Sequence, residues 1–137
     1  MLKPCKKHAT GCPIAFALDT FGDRWSLLIV RDLMMRGRKT YCEFLGSGEK
    51  IATNILADRL KHLEAVGVIG KLQDPGNRRS FIYSLTEKGV DLAPLILELV
   101  LWSAEHDPET TTPQEIVHRI KNDREGFVSE IRSRLTD

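Results

Sequence analysis

Between Ile51 and Thr86 the spacing of apolar positions changes period, from that of a helix to that of a strand. Ile51, Leu56, Leu60 and Leu63, backed by Ile55, fall on one stripe at the 3.6-residue spacing of a half-buried helix, which predicts a helix over Ile51–Val66. Its other side carries Thr53, Asn54, Ala57, Asp58 and Lys61, which are small, polar or basic. Gly67 is placed to close the last turn, because glycine adopts the left-handed conformation at little cost. Val68–Leu72 and Phe81–Leu85 then read as two strands, joined by a tight basic loop from Asp74 through Pro75, Gly76, Asn77 and Arg78 to Arg79. A helix, a hairpin and a basic loop tip in this order outline a winged helix-turn-helix, an arrangement that reads DNA.

The flanking pattern is helical. Pro13 behind Cys12 marks a helix start, with Ile14, Ala15, Ala17, Leu18 and Phe21 on its apolar face and Gly22 at its end. Asp23 is a cap for a second helix over Arg24–Met35, in which Trp25, Leu28, Ile29 and Leu33 point inward. After a basic turn ending in Lys39, Thr40 and Glu43 have the spacing of a capping box for a short third helix, Tyr41–Leu45. Beyond the hairpin, Thr86 caps a helix rich in Leu92, Leu95, Ile96, Leu97, Leu99, Val100, Leu101 and Trp102, apolar nearly all round, which Pro94 kinks or restarts. Such a helix needs a second surface to cover it, either the chain's own tail or a second copy. Thr112 and Glu115 suggest another capping box, opening a tail helix. Its stripe of Ile116, Ile120, Phe127, Ile131 and Leu135 is interrupted around Asn122–Gly126. The expected class is therefore mainly α with a small β-hairpin wing. It divides into a basic arm (1–11), a winged helix-turn-helix domain with its dimerisation helix (12–106) and a helical extension (107–137).

Charge sharpens this picture. The net charge of +1 alone argues against a nucleic-acid partner, but residues 1–89 hold 15 Lys and Arg against 9 Asp and Glu, and residues 90–137 hold 5 against 10. A basic front on an acidic back suggests a polyanion on one side. No apolar run approaches the ~18–20 residues of a membrane span, and Lys3, Lys6, Lys7 and His8 interrupt any secretory h-region, so the chain reads as cytoplasmic. Three cysteines do not make an intramolecular disulfide framework. There is no G-x-S-x-G, phosphate loop, H-E-x-x-H or C-x-x-C, and an enzyme is not expected.

Several motifs together resemble the HxlR-type winged-helix regulators of bacteria, relatives of the MarR group. They are Cys12-Pro13-Ile14, Gly22-Asp23-Arg24-Trp25 with Leu27-Leu28-Ile29, and Tyr41-x-Glu43-Phe44. Further along come Leu56-x-x-Arg59-Leu60-x-x-Leu63-Glu64-x-x-Gly67-Val68-Ile69 and Tyr83-Ser84-Leu85-Thr86-x-x-Gly89. The resemblance spans roughly residues 12–102. It implies a homodimer with one winged helix-turn-helix per subunit, paired through the first and last helices of the core. It also implies, for several such proteins, oxidant or electrophile sensing at the cysteine corresponding to Cys12. Ala52 stands where a capping serine is frequent, Asn54 where a basic residue is, Thr40 in place of an arginine, and Arg78-Arg79 where prolines are usual. These departures bear on the operator sequence and not on the fold.

The candidate DNA-binding residues are Thr53, Asn54, Ala57 and Lys61 on the helix, Arg78, Arg79 and Asn77 on the wing, and Lys39 in the basic turn. Asn54 can pair bidentately with adenine, Thr53 or Ala57 can touch a thymine methyl, Lys61 suits a phosphate or guanine, and the arginines suit the backbone or a narrow minor groove. A solvated helix beside a solvated hairpin is the plain alternative, and a protein-interaction module that lacks DNA binding is another. Cys12 has two readings, a small core residue or a redox-sensing thiol favoured as thiolate by a helix N-terminus and basic neighbours, with Cys5 as resolving partner. Cys42, inside the short helix, is expected to be partly buried and less reactive. Cys5-x-x-His8-x-x-x-Cys12 has a metal-like spacing but no second ligand pair, so neither metal nor cofactor is assigned. His62, His106 and His118 read as surface residues, and Asp19, Asp23 and Asp32 as cap or helix-face residues without a basic partner. The expected partners are double-stranded DNA and a second copy of the chain, with no membrane and with room for a small-molecule or oxidant effector.

Overall fold

The computed structural model describes residues 10–136. Eight helices and one hairpin follow in the order α1 (Pro13–Phe21), α2 (Ser26–Met35), α3 (Tyr41–Leu45), α4 (Thr53–Ala65), β1 (Ile69–Asp74), β2 (Asn77–Leu85), α5 (Glu87–Val90), α6 (Ala93–His106), α7 (Gln114–Asn122) and α8 (Arg124–Thr136). This is a winged helix-turn-helix, mostly helical with one antiparallel pair of strands. Among the described residues no helix is long and apolar enough to cross a membrane.

One core joins the helices to the hairpin. Val30, Phe44, Leu56, Leu63, Leu97 and Ile131 are all at 1% exposure or less. They come from α2, α3, α4, α6 and α8, so the tail shares the core of the winged domain. Burial of that many large apolar side chains, at about 1.5–3 kcal/mol each, is ample to order the short α3, which has no independent stability. Gly67 closes α4 at φ 82°, in the left-handed region expected of it.

Several boundaries differ from expectation. The second helix begins at Ser26, with residues 23–25 forming a turn that the Asp23 carboxylate organises. Thr86 caps only the one-turn α5, and the chain starts again at α6 with Pro94 in its first turn, where a missing N–H costs nothing. The tail is two helices broken at Asp123, within the interruption of its apolar stripe. The Thr112 capping box does not form. Pro113 takes the cap position of α7, and the Thr112 hydroxyl instead accepts from that of Thr110 at 3.3 Å.

Two apolar surfaces remain open. On α1, Ile14, Phe16 and Leu18 are 46–69% exposed; on α6, Leu99 and Trp102 are 43% and 67% exposed. The tail covers another face of α6, through Val117, Ile120 and Phe127, and the Arg124–Glu98 and Arg132–Asp91 ion pairs fasten it there. Covering by the tail is therefore real and incomplete.

Candidate nucleic-acid interface

The helix-turn-helix is built from α3 and α4. Thr40 accepts a hydrogen bond from the Glu43 N–H at 3.2 Å, and Glu43 Oε1 accepts from Lys39 and Thr40 N–H at 2.9 and 3.0 Å, completing the capping box. The Lys39 N–H, then the Thr40 hydroxyl and N–H, together hold the Glu43 carboxyl below its ordinary range against a small desolvation. The link to α4 contains Gly48 at φ 90° and Lys50 at φ 59°, a left-handed position held by a residue with a side chain. The Tyr41 hydroxyl then donates to the carbonyl of Thr53 at 2.9 Å and ties α3 to the first turn of α4.

α4 commits one face to the core and leaves the other to solvent. Leu56, Leu60 and Leu63 are at most 3% exposed, whereas Thr53, Asn54, Ala57, Asp58 and Lys61 are exposed. Ile55 lies at the margin, with 36% of its surface open. Among the described residues the side chains of Thr53, Asn54 and Lys61 form no hydrogen bond or ion pair, so nothing within the chain competes for them. Asp58 on the same face is engaged by the Arg59 guanidinium at 2.6 Å, which holds its carboxyl below the ordinary range.

The far side of α4 is tied to the start of the chain. His62 Nε2 donates to the Thr20 carbonyl at the end of α1 at 2.7 Å, and Arg59 pairs with Asp23 at 3.3 Å. His62 is thus a half-buried link between helices and not a surface residue. The three aspartates also need revision in part. Asp23 has Arg59, and Asp32, only 2% exposed, is paired with Arg31 at 2.9 Å and Arg38 at 3.7 Å. These partners lie outside any local spacing rule, except for Arg31.

The wing is longer than its apolar alternation suggested. Asn77, Arg78 and Arg79 belong to β2 and not to the loop, which reduces to Pro75 and Gly76. All three side chains are exposed. The Tyr83 N–H donates to the Lys39 carbonyl at 2.8 Å, so the basic turn lies along β2 and the exposed Lys39 stands beside the wing. Lys39 and the wing residues thus share one element edge, and the α4 residues share one helix face. A helix with a short polar outer face fits a groove about 12 Å wide, and exposed arginines on a neighbouring ribbon suit a phosphate backbone.

Cys12 is exposed at the cap position of α1. Cys42 is exposed too, because the five-residue α3 buries only Phe44, and its expected partial burial is not found. Cys5, Lys6, Lys7 and His8, invoked as resolving thiol, basic neighbours and metal spacing, lie outside the described residues.

Residues 20–111 match the family model described as HxlR-like helix-turn-helix. The helix-turn-helix-type transcriptional regulator YvaP of Bacillus subtilis is 35% identical over 65% of this chain and 82% of its own. The crystal structure of PA1607 superposes with a TM-score of 0.69 at 36% identity, covering 77% of this chain and 73% of that one. The redox regulator HypR in its oxidized form superposes with a TM-score of 0.62 at 30% identity, covering 69% of this chain and 97% of HypR.

Proposed function

The chain belongs to the HxlR-like helix-turn-helix family of transcriptional regulators, and on that premise we propose that it binds double-stranded operator DNA as a homodimer whose affinity responds to the state of Cys12. The observation that carries the reading is the division of α4. Its apolar face is wholly committed to the core, while Thr53, Asn54, Ala57 and Lys61 stand exposed, three of them able to hydrogen-bond and left without a partner within the described chain. In this reading α4 lies in the major groove, with Asn54 on a base edge and Lys61 on a phosphate or guanine. Arg78, Arg79 and Lys39 neutralise phosphates from the wing side.

Dimerisation is supported by the apolar surfaces that the tail leaves open, Ile14, Phe16 and Leu18 on α1 and Leu99 and Trp102 on α6. A second copy pairing through these helices removes both from water. The redox part is supported by the exposed sulfur of Cys12 at the start of α1 and by the likeness to HypR, which is named a redox regulator.

Retention of genomic fragments by the purified protein, followed by footprinting, tests the reading. The expected footprint has two related half-sites about one helical turn (~10 bp) apart or a multiple of it. Fragments retained without any common sequence would overturn operator recognition, and a single unpaired half-site would overturn the dimer.

A further inference from the structure

At the wing tip the two strands fall out of step. They pair one to one from Ile69 with Leu85 as far as Gln73 with Phe81, and the next pair is Asp74 with Asn77. Arg78, Arg79 and Ser80 therefore have no partner on β1. An excess of residues on one strand removes ladder hydrogen bonds, bends that strand and re-aims its side chains. The peptide groups so released still require partners or water.

Two of them are met by side-chain amides that bracket the excess, one from each strand. Gln73 Nε2 donates to the Arg78 carbonyl at 2.7 Å, and Asn77 Oδ1 accepts from the Arg79 N–H at 3.1 Å. Asp74 Oδ1 accepts from the Gly76 N–H at 2.9 Å and steadies the turn itself. The residues held in this way are the two wing arginines. An arginine side chain has many rotamers, so its backbone must be fixed if its guanidinium is to meet a chosen phosphate.

We propose that Gln73 and Asn77 are positioning residues that hold the bulge so that Arg78 and Arg79 reach phosphates of the same duplex. Asn77 then serves binding through the backbone of Arg79, and not by a contact of its own. The proposal rests on the DNA-binding reading above, and its test separates the two.

Binding to a fluorescent mixed-sequence duplex of about 30 base pairs is titrated across about 50 to 200 mM salt, because the slope of log affinity against log salt counts neutralised phosphates at about 0.9 each. The variants are Gln73→Met, which keeps length and loses the donor, Asn77→Ala, the double variant Arg78→Ala/Arg79→Ala, and each amide change in that arginine-free background. The double arginine variant should flatten the slope by nearly two, about 0.9 for each lost contact. Gln73→Met and Asn77→Ala should each flatten it by a substantial part of that, with an unchanged melting temperature, and should add nothing once the arginines are gone. A wild-type slope in both amide variants, beside a flattened slope in the arginine variant, overturns the positioning role and leaves DNA binding standing. A loss on Asn77→Ala that persists without the arginines makes Asn77 a direct contact and also overturns it. An unchanged slope in the arginine variant overturns the wing as a DNA element, and the proposal with it.

Discussion

At Asp23 one carboxylate accepts the N–H groups of Trp25 and Ser26, each at 2.9 Å, and the Ser26 hydroxyl, and it faces Arg59 at 3.3 Å. Burial pushes its pKa up, but the three hydrogen bonds and the arginine together outweigh burial and hold it below the ordinary carboxylate range. A carboxyl depressed in the folded state stabilises the fold above its unfolded pKa of about 3.9, and that contribution is lost as pH falls through the lower folded value. Asp23→Asn should therefore cost about 1–2 kcal/mol near neutrality, by weakening a helix cap and removing a charge from Arg59. Urea unfolding from pH 7 to pH 3 checks this, the gap between variant and wild type narrowing toward the acid end. The cap was legible in the sequence because donor and acceptor lie within three residues, as they do for Thr40 and Glu43. The His62 link to Thr20 was not, since its partners are 42 positions apart and the acceptor is a backbone carbonyl, which every residue has.

Among elements, α4 was legible from its apolar stripe to within a residue or two, because one face against a core imposes a strict period. Asn54 stands on the opposite face, and Asn54→Ala should cost about 1–3 kcal/mol at one base position while leaving the others unchanged. Binding to an operator and to its single-base variants measures this, and an unaltered preference at every position would reassign the reading face. The wing was less legible. Its length depends on hydrogen bonds of the backbone across two strands and on a register shift, neither of which leaves an apolar alternation to follow. The failed capping box at Thr112 has a similar lesson, for the spacing was right but Pro113 occupies the cap and draws Thr112 out of reach. The cysteines of α1 and α3 are now alike in exposure. Cys12→Ser should abolish the response of DNA binding to diamide, with Cys42→Ser keeping it, in a titration with and without the oxidant. A response that survives in Cys12→Ser and vanishes in Cys42→Ser would move the sensing thiol to α3.

On the scale of the whole molecule, the apolar residues that α6 leaves uncovered decide the assembly. Leu99→Lys places an ammonium in a surface that the proposed partner dehydrates, at a cost of several kcal/mol to association. Because Leu99 is 43% exposed in the single chain, the same change should leave the fold itself nearly intact. Sedimentation at micromolar concentration should then give a folded monomer with much weakened operator binding, and an undiminished dimer would exclude this face. The sequence showed that α6 needed covering all round, but not how the covering is divided, since that depends on where the tail returns.

That return has a kinetic side. Ile131 in α8 is at 0% exposure and packs in the same core as Ile29 and Val30 of α2, which α8 contacts directly. Partners so distant along the chain must find one another after most of the loop-closure entropy has been spent, so the last packing step is slow compared with formation of the local helix pairs. During synthesis α2 is made some hundred residues before the side chain that seals it, and until then its apolar face has no permanent cover. A nascent regulator of this design acquires its finished core only once nearly all of this sequence has emerged.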